Sequence, residues 1–330
     1  MKEVYCSLAL IVLSLSIFAQ QKTTAKKQAL KFIRDYDPEG YQIMKAYYQA
    51  AVEYEFGGVN ISLAPQTAYE VYIDSSSLHH LLRSLNTVVH EASHGYTHHT
   101  VFRYLEKDKI DYEWGKHFSL FYINKDEQLL VKHTPTFPSS RLHGSIPDSI
   151  QTSRYETYIY PSAEITTQTI GIYGLLDEWH AYYHGTKNSV RLLPYYQRYS
   201  RNNHDLWVNY FIGVHGTYLS YLEFKLFILH YLMYAEKYEA EIFEEIMANE
   251  SFRVACTQID SLFSALMTDF LQQKQKILQD LMAVGVNCGE DEEFVFMGTT
   301  GYGNFRATYE KLDQVLKRPN YQQMWTRLSN

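Results

Sequence analysis

Residues 78–94 read LHHLLRSLNTVVHEASH, and the spacing of their apolar side chains decides how this chain is built. Leu78, Leu81, Leu82, Leu85, Val88, Val89 and Ala92 recur at three- and four-residue intervals, the pattern of a helix with one face on a core. Asp74 and the serines at 75–77 supply N-caps just before it. At ~100° per residue, His90 and His94 fall about 140° and 180° around the axis from Leu85, off the apolar stripe. With Glu91 they form an HExxH pattern. Two imidazoles four residues apart share a helix face with Cβ atoms about 5–6 Å apart, which suits two ligands on one Zn²⁺. Glu91 then stands beside the metal, where a carboxylate takes a proton from water. In a chain with 14 His the pattern arises by chance in roughly one such sequence in 25. Its weight therefore comes from falling on a helix and off the stripe; the competing reading is a surface His pair beside a solvated Glu.

Zinc needs a third protein ligand and an open position. The run HEASHGYTHHT has Thr100 where a metzincin would carry its third His, so that form is absent. His98, eight residues from His90, serves only if the helix continues and bends. A second helix is expected 84 residues after His94, around LLDEWHAYY at 175–183. Gly174, Glu178, Ala181 and Gly185 make a narrow face on it, the kind of face that lets a carboxylate approach another helix. HExxH followed by Glu178, with Ala181 three residues on, resembles gluzincin-type zinc metallopeptidases over two short segments. The resemblance implies a zincin-like fold, with His90, His94 and Glu178 as ligands and Glu91 as general base. Glu164, Asp177 and His98 stay open as alternative third ligands, and Glu178 as an ordinary surface acid.

Peptide hydrolysis at such a centre also needs a donor for the developing negative charge. Tyr160, Tyr182, His180 and His215 are the residues considered, each with a packing role as the plainer reading. Asp177 is expected to accept from an imidazole and orient it. A strand at 155–160 or 67–73 is expected beside the site, where its edge holds an extended peptide.

The remainder bounds the protein. Residues 1–19 combine Lys2, an apolar run from Cys6 to Phe18, and small Ser16 and Ala19, the layout of a cleaved signal peptide, so a secreted or periplasmic location is expected. Net charge of −7 argues against nucleic-acid or anionic-membrane partners. The apolar run Leu226–Tyr234 is too short to span a bilayer and reads as a buried helix. The residues between Cys256 and Cys288 read as one long helix, Val254–Met282, roughly 40 Å at ~1.5 Å per residue, so two free thiols are favoured over a disulfide. Helices are expected at Ala29–Arg34 and Tyr41–Tyr54, strands at Leu129–Lys132, Thr67–Ile73 and Tyr155–Tyr160, and helices almost throughout from 166. The expected fold is α+β and predominantly α-helical, with a small sheet beside the HExxH helix. Residues 20–330 form one domain: an N-terminal lobe at 20–165 carrying HExxH, and a helical lobe at 166–330 carrying the third ligand. The leading expectation is a zinc metallopeptidase acting on a peptide or protein. The alternatives are a zinc amidase or esterase acting on cell-envelope material, and a non-catalytic binder of peptide or glycan that uses some of the 30 tyrosines.

Overall fold

A computed structural model describes residues 24–112, 115–161, 165–200 and 203–330. The signal segment at 1–19 and Glu164 lie outside the described residues. Helix α1 covers 24–36. It hands over directly to α2 (Pro38–Tyr48), because Asp37 accepts from the Gly40 amide at 3.1 Å and Pro38 occupies the first turn. The expected second helix does not reach Tyr54. Gly57 and Gly58, both at positive φ, turn the chain back so that β1 (Glu53–Phe56) pairs with β2 (Val59–Ser62). The expected strand at 67–73 is a 3-10 turn at Tyr69–Tyr72, with Tyr69 packed on the Tyr48 ring.

Helix α3 (Leu78–Gly95) is the HExxH helix, and Ser77 caps it by accepting from the His80 amide. Leu81, Leu82, Leu85, Val88, Val89 and Ala92 are buried, and Leu78 is exposed at the first position. A π-helical turn (Tyr96–Thr100) follows without a break, then α4 (Val101–Lys107). Strands β3 (Phe118–Asn124) and β4 (Glu127–Lys132) pair antiparallel with Leu120 opposite Leu130. This hairpin is the small sheet near the HExxH helix, packing on the π-helical turn after it. Residues 155–160 are not a strand. They belong largely to α5 (Ser153–Tyr158), where the buried residues Tyr155 and Tyr158 stand three apart, at helical spacing. With both expected strands helical, neither offers a substrate an edge.

Helices then dominate: α6 (Thr166–Thr169), α7 (Ile172–Arg191), α8 (Leu193–Tyr199), α9 (Asp205–Tyr218), α10 (Ser220–Tyr238), α11 (Ala240–Ala248) and α12 (Glu250–Ala283). Strands β5 (Cys288–Glu290), β6 (Phe294–Met297) and β7 (Thr300–Gly303) form an antiparallel meander, and α13 (Arg306–Leu316) and α14 (Pro319–Ser329) close the chain. The protein is thus predominantly helical with small antiparallel sheets. Leu226–Leu232 lies in α10 and is buried throughout. No helix among the described residues is long and apolar enough to cross a membrane. Cys256 and Cys288 are free and buried.

Helix α7 organises the core. Every residue in it except Tyr182 and Arg191 is buried, because α3, α6, α9, α10 and α12 all pack around it. A helix buried on all sides is normally apolar. This one carries Asp177, Glu178, His180, His184 and Lys187 inside, and buried charge is tolerated only when paired or ligating.

Candidate metal centre

Helices α3 and α7 pack closely at Gly185. A Cβ built there would lie 2.8 Å from the Asn86 carbonyl oxygen and 3.2 Å from the His90 Cβ, so only glycine lets the backbones meet. Two turns earlier on α7, Glu178 reaches the two α3 imidazoles. The Nε2 atoms of His90 and His94 are 3.1 Å apart, and Glu178 Oε2 lies 3.7 Å from the first and 3.5 Å from the second. Tetrahedral bonds of about 2.0–2.2 Å set ligand atoms roughly 3.3–3.6 Å apart. The triangle therefore has the size of one face of a zinc tetrahedron, and these three residues form a group able to hold a metal ion.

The surroundings fit the same use. His94 Nδ1 lies 2.7 Å from Asp177 Oδ2, which directs its Nε2 toward Glu178, and the same carboxylate oxygen lies 3.0 Å from His98 Nε2. Tyr158 donates to Glu178 Oε2 and Thr167 donates to Glu178 Oε1, each at 3.0 Å. Burial opposes charge on His94, but Asp177 and Glu178 outweigh it and hold His94 well above the usual imidazole range. Burial, with His94 adding to it, pushes His90 down to about 3. Burial likewise opposes ionisation of Asp177 and Glu178, and the histidines overcome it and lower both. Two anionic carboxylates and two imidazoles packed this tightly make a pocket of negative potential suited to a cation. Glu91 stands apart from the triangle. Burial raises its carboxyl above the usual range, the nearby Glu178 adds to this, and Tyr72 lines the same cleft beside it.

Two clefts meet at Glu91. One, of about 230 Å³, is lined by Tyr47, Tyr48, Tyr72, His94, His98 and their neighbours. The other, of about 280 Å³, is lined by His90, Arg154, Tyr158, Tyr182 and Thr217 among others.

The other residues singled out in the sequence divide by helix face. Tyr182, one turn beyond Glu178, stays at the site, its ring centroid 4.4 Å from that of His90 and its hydroxyl 3.3 Å from Tyr158. His180 is about 200° around α7 from Glu178 at ~100° per residue. Its Nε2 bonds the Tyr122 carbonyl at 3.0 Å, and it lines neither cleft. His215 is enclosed on α9 by Phe211, Tyr218, Phe270 and Tyr302, also away from both clefts. Tyr160 is exposed against His143, beyond the end of α5. His98 lies on Asp177 and outside the ligand triangle, because the chain leaves the α-helix for the π-helical turn that carries it. Such turns concentrate at functional sites. On the supposed narrow face of α7, Gly185 meets α3, whereas Gly174 meets the Thr167 carbonyl of α6.

Sequence reasoning missed Tyr158, Thr167, Arg154 and Tyr72. None carries a local motif, and Tyr158 was concealed in the run YETYIY, whose aromatic and β-branched residues read as a strand. Comparison with known proteins returned no matching family model, no similar curated protein and no similar solved structure. The likeness to gluzincins remains confined to the motif and its downstream glutamate.

Proposed function

We propose that this protein is a zinc-dependent hydrolase of the metallopeptidase type, with a zincin-like site held by His90, His94 and Glu178. The observation that carries the reading is the triangle of ligand atoms at 3.1, 3.5 and 3.7 Å, with Asp177 behind one imidazole and Glu91 at the meeting of two clefts. When bound, zinc supplies the Lewis acidity that lowers the pKa of a water and polarises a scissile carbonyl.

The chain's own residues would do the rest. Glu91, its carboxyl raised by burial, would take the proton of the attacking water and return it to the leaving amine. Tyr72 stands beside the Glu91 carboxylate in the wall of one cleft, where its hydroxyl can steady it. Tyr158 and Thr167 occupy both oxygens of Glu178 and fix its direction. Tyr182, pressed on the His90 ring, is the residue placed to donate to an oxyanion formed on that side. The signal-like segment at 1–19 supports action outside the cytoplasm.

Two measurements test this. Elemental analysis of purified protein, before and after incubation with zinc, should give about one zinc per chain. A protein that takes up none under either condition sinks the proposal. The Glu91→Gln variant should keep its zinc while peptide cleavage falls by about 10²–10⁴-fold; undiminished cleavage would remove Glu91 from the base role.

A further inference from the structure

Arg154 lines the cleft on the His90 side, and no part of the proposed chemistry uses it. Among the described residues it is the one Lys or Arg lining that cleft. Its side chain is only 12% exposed and is held from behind. Nη1 donates to Glu223 Oε2 at 2.6 Å, Nη2 donates to the Gly216 carbonyl at 3.1 Å, and the guanidinium lies 4.5 Å above the Tyr182 ring. Glu223 is fully buried. A guanidinium has five N–H donors, so these contacts leave others over, and such donors match a carboxylate. An arginine immobilised beforehand loses little entropy on binding an anion, which is what a recognition residue requires.

We propose that this cleft binds the free C-terminal carboxylate of a peptide through Arg154, making the enzyme a carboxypeptidase or a peptidase of very short substrates. The inference rests on the metallopeptidase reading and adds the substrate class. Three observations favour a chain terminus over an internal stretch of peptide. At about 280 Å³ the cleft falls just below the roughly 300–1,000 Å³ of sites for drug-sized ligands, room for a short terminal fragment. Its wall carries a single fixed cation, where an internal segment needs main-chain partners along its length. The second cleft, on the far side of Glu91 with Tyr47, Tyr48 and Tyr72 in its wall, is left for the residues preceding the scissile bond. Hydrolysis is balanced without any further reactant. The C–N bond breaks, the water oxygen joins the acyl carbon, one water proton stays with the new carboxylic acid, and the other passes through Glu91 to the released amine.

Binding tests the proposal separately from turnover. Zinc-loaded Glu91→Gln protein is titrated calorimetrically with N-acetyl dipeptides of varied C-terminal residue, each as the free acid and as the amide. The free acids should bind about ten- to a hundredfold more tightly than their amides, the worth of hydrogen bonds to a charged group. Adding Arg154→Gln should bring the two forms within about twofold while zinc content and amide affinity hold. Arg154→Lys, which keeps the charge and loses the fork, should fall between and covers the case in which the Gln variant does not fold. Equal binding of acid and amide, no binding of either, or an acid preference that survives both substitutions overturns the proposal. Absence of zinc sinks the metallopeptidase reading itself, whereas bound zinc with indifference to the terminus sinks only the role of Arg154.

Discussion

Asp177 Oδ2 lies against two imidazoles at once, His94 at 2.7 Å and His98 at 3.0 Å, while its Oδ1 is buried without a partner among the described residues. Burying an ionised carboxylate among helices is costly unless it is paired and hydrogen-bonded, and here the pairing sets which nitrogen of His94 faces Glu178. Removing that charge leaves His94 free to turn. Asp177→Asn should therefore weaken zinc binding by about 10–100-fold, read by competition with a chelating dye. Thermal unfolding of the zinc-free variant should show the fold retained. If the variant binds zinc as tightly as the parent, the orienting role is wrong. The same logic covers Tyr158 and Thr167, which engage the two oxygens of Glu178. Losing both hydroxyls in Tyr158→Phe with Thr167→Val should lower zinc affinity further than either change alone.

At the level of elements, the site is a contact between two helices, and Gly185 sets their spacing. In Gly185→Ala the new methyl would stand 2.8 Å from the backbone carbonyl of Asn86, which cannot rotate away as a side chain can. Helices α3 and α7 must separate, at a cost of roughly 1–3 kcal/mol for an overpacked contact. The expected outcome is a lower Tm together with weaker zinc binding, because Glu178 moves with α7. A lower Tm with unchanged zinc affinity would show that the ligands do not depend on this contact. The element scale also explains what could be read in advance. Helix α3 was legible because its apolar residues keep one period for about three turns before HExxH. Segments 67–73 and 155–160 misled, since alternation over six or seven residues fits a strand only if a neighbouring strand is there to pair. Tyr155 and Tyr158 instead bury one side of a short helix.

Over the whole molecule, several histidines are kept neutral by burial, and this ties stability to pH. Burial lowers His215 to about 3, with Lys274 adding to the effect, and lowers His230 to about 4. The unfolded chain protonates these groups near 6.5 and the folded chain does not, so it is the unfolded state that gains protons as pH falls. Stability should decline from about pH 6.5 downward, by as much as ~1.4 kcal/mol per unit for each group, until about pH 4 for His230 and about pH 3 for His215. Both His215 ring nitrogens lack partners among Phe211, Tyr218, Phe270 and Tyr302. His215→Phe should accordingly hold or raise stability at pH 7 and flatten the acid limb of a denaturant-midpoint profile. An unchanged limb would mean that His215 is not among the groups responsible.

Much of this protein follows from short-range pattern. The HExxH helix and the largely helical chain after 166 depend on residues within one or two helical turns of each other, where 3.6-residue geometry is enough, and the free cysteines on the length of the one helix between them. Tertiary packing settled what that geometry leaves open. It brought Glu178 to His90 and His94 across 84 residues of sequence, and turned His98 onto Asp177 through a π-helical turn. It also buried His215 and His180 away from the clefts and set Arg154 against Glu223 and Tyr182. Each of these outcomes depends on which helix faces pack together, and no local period carries that information.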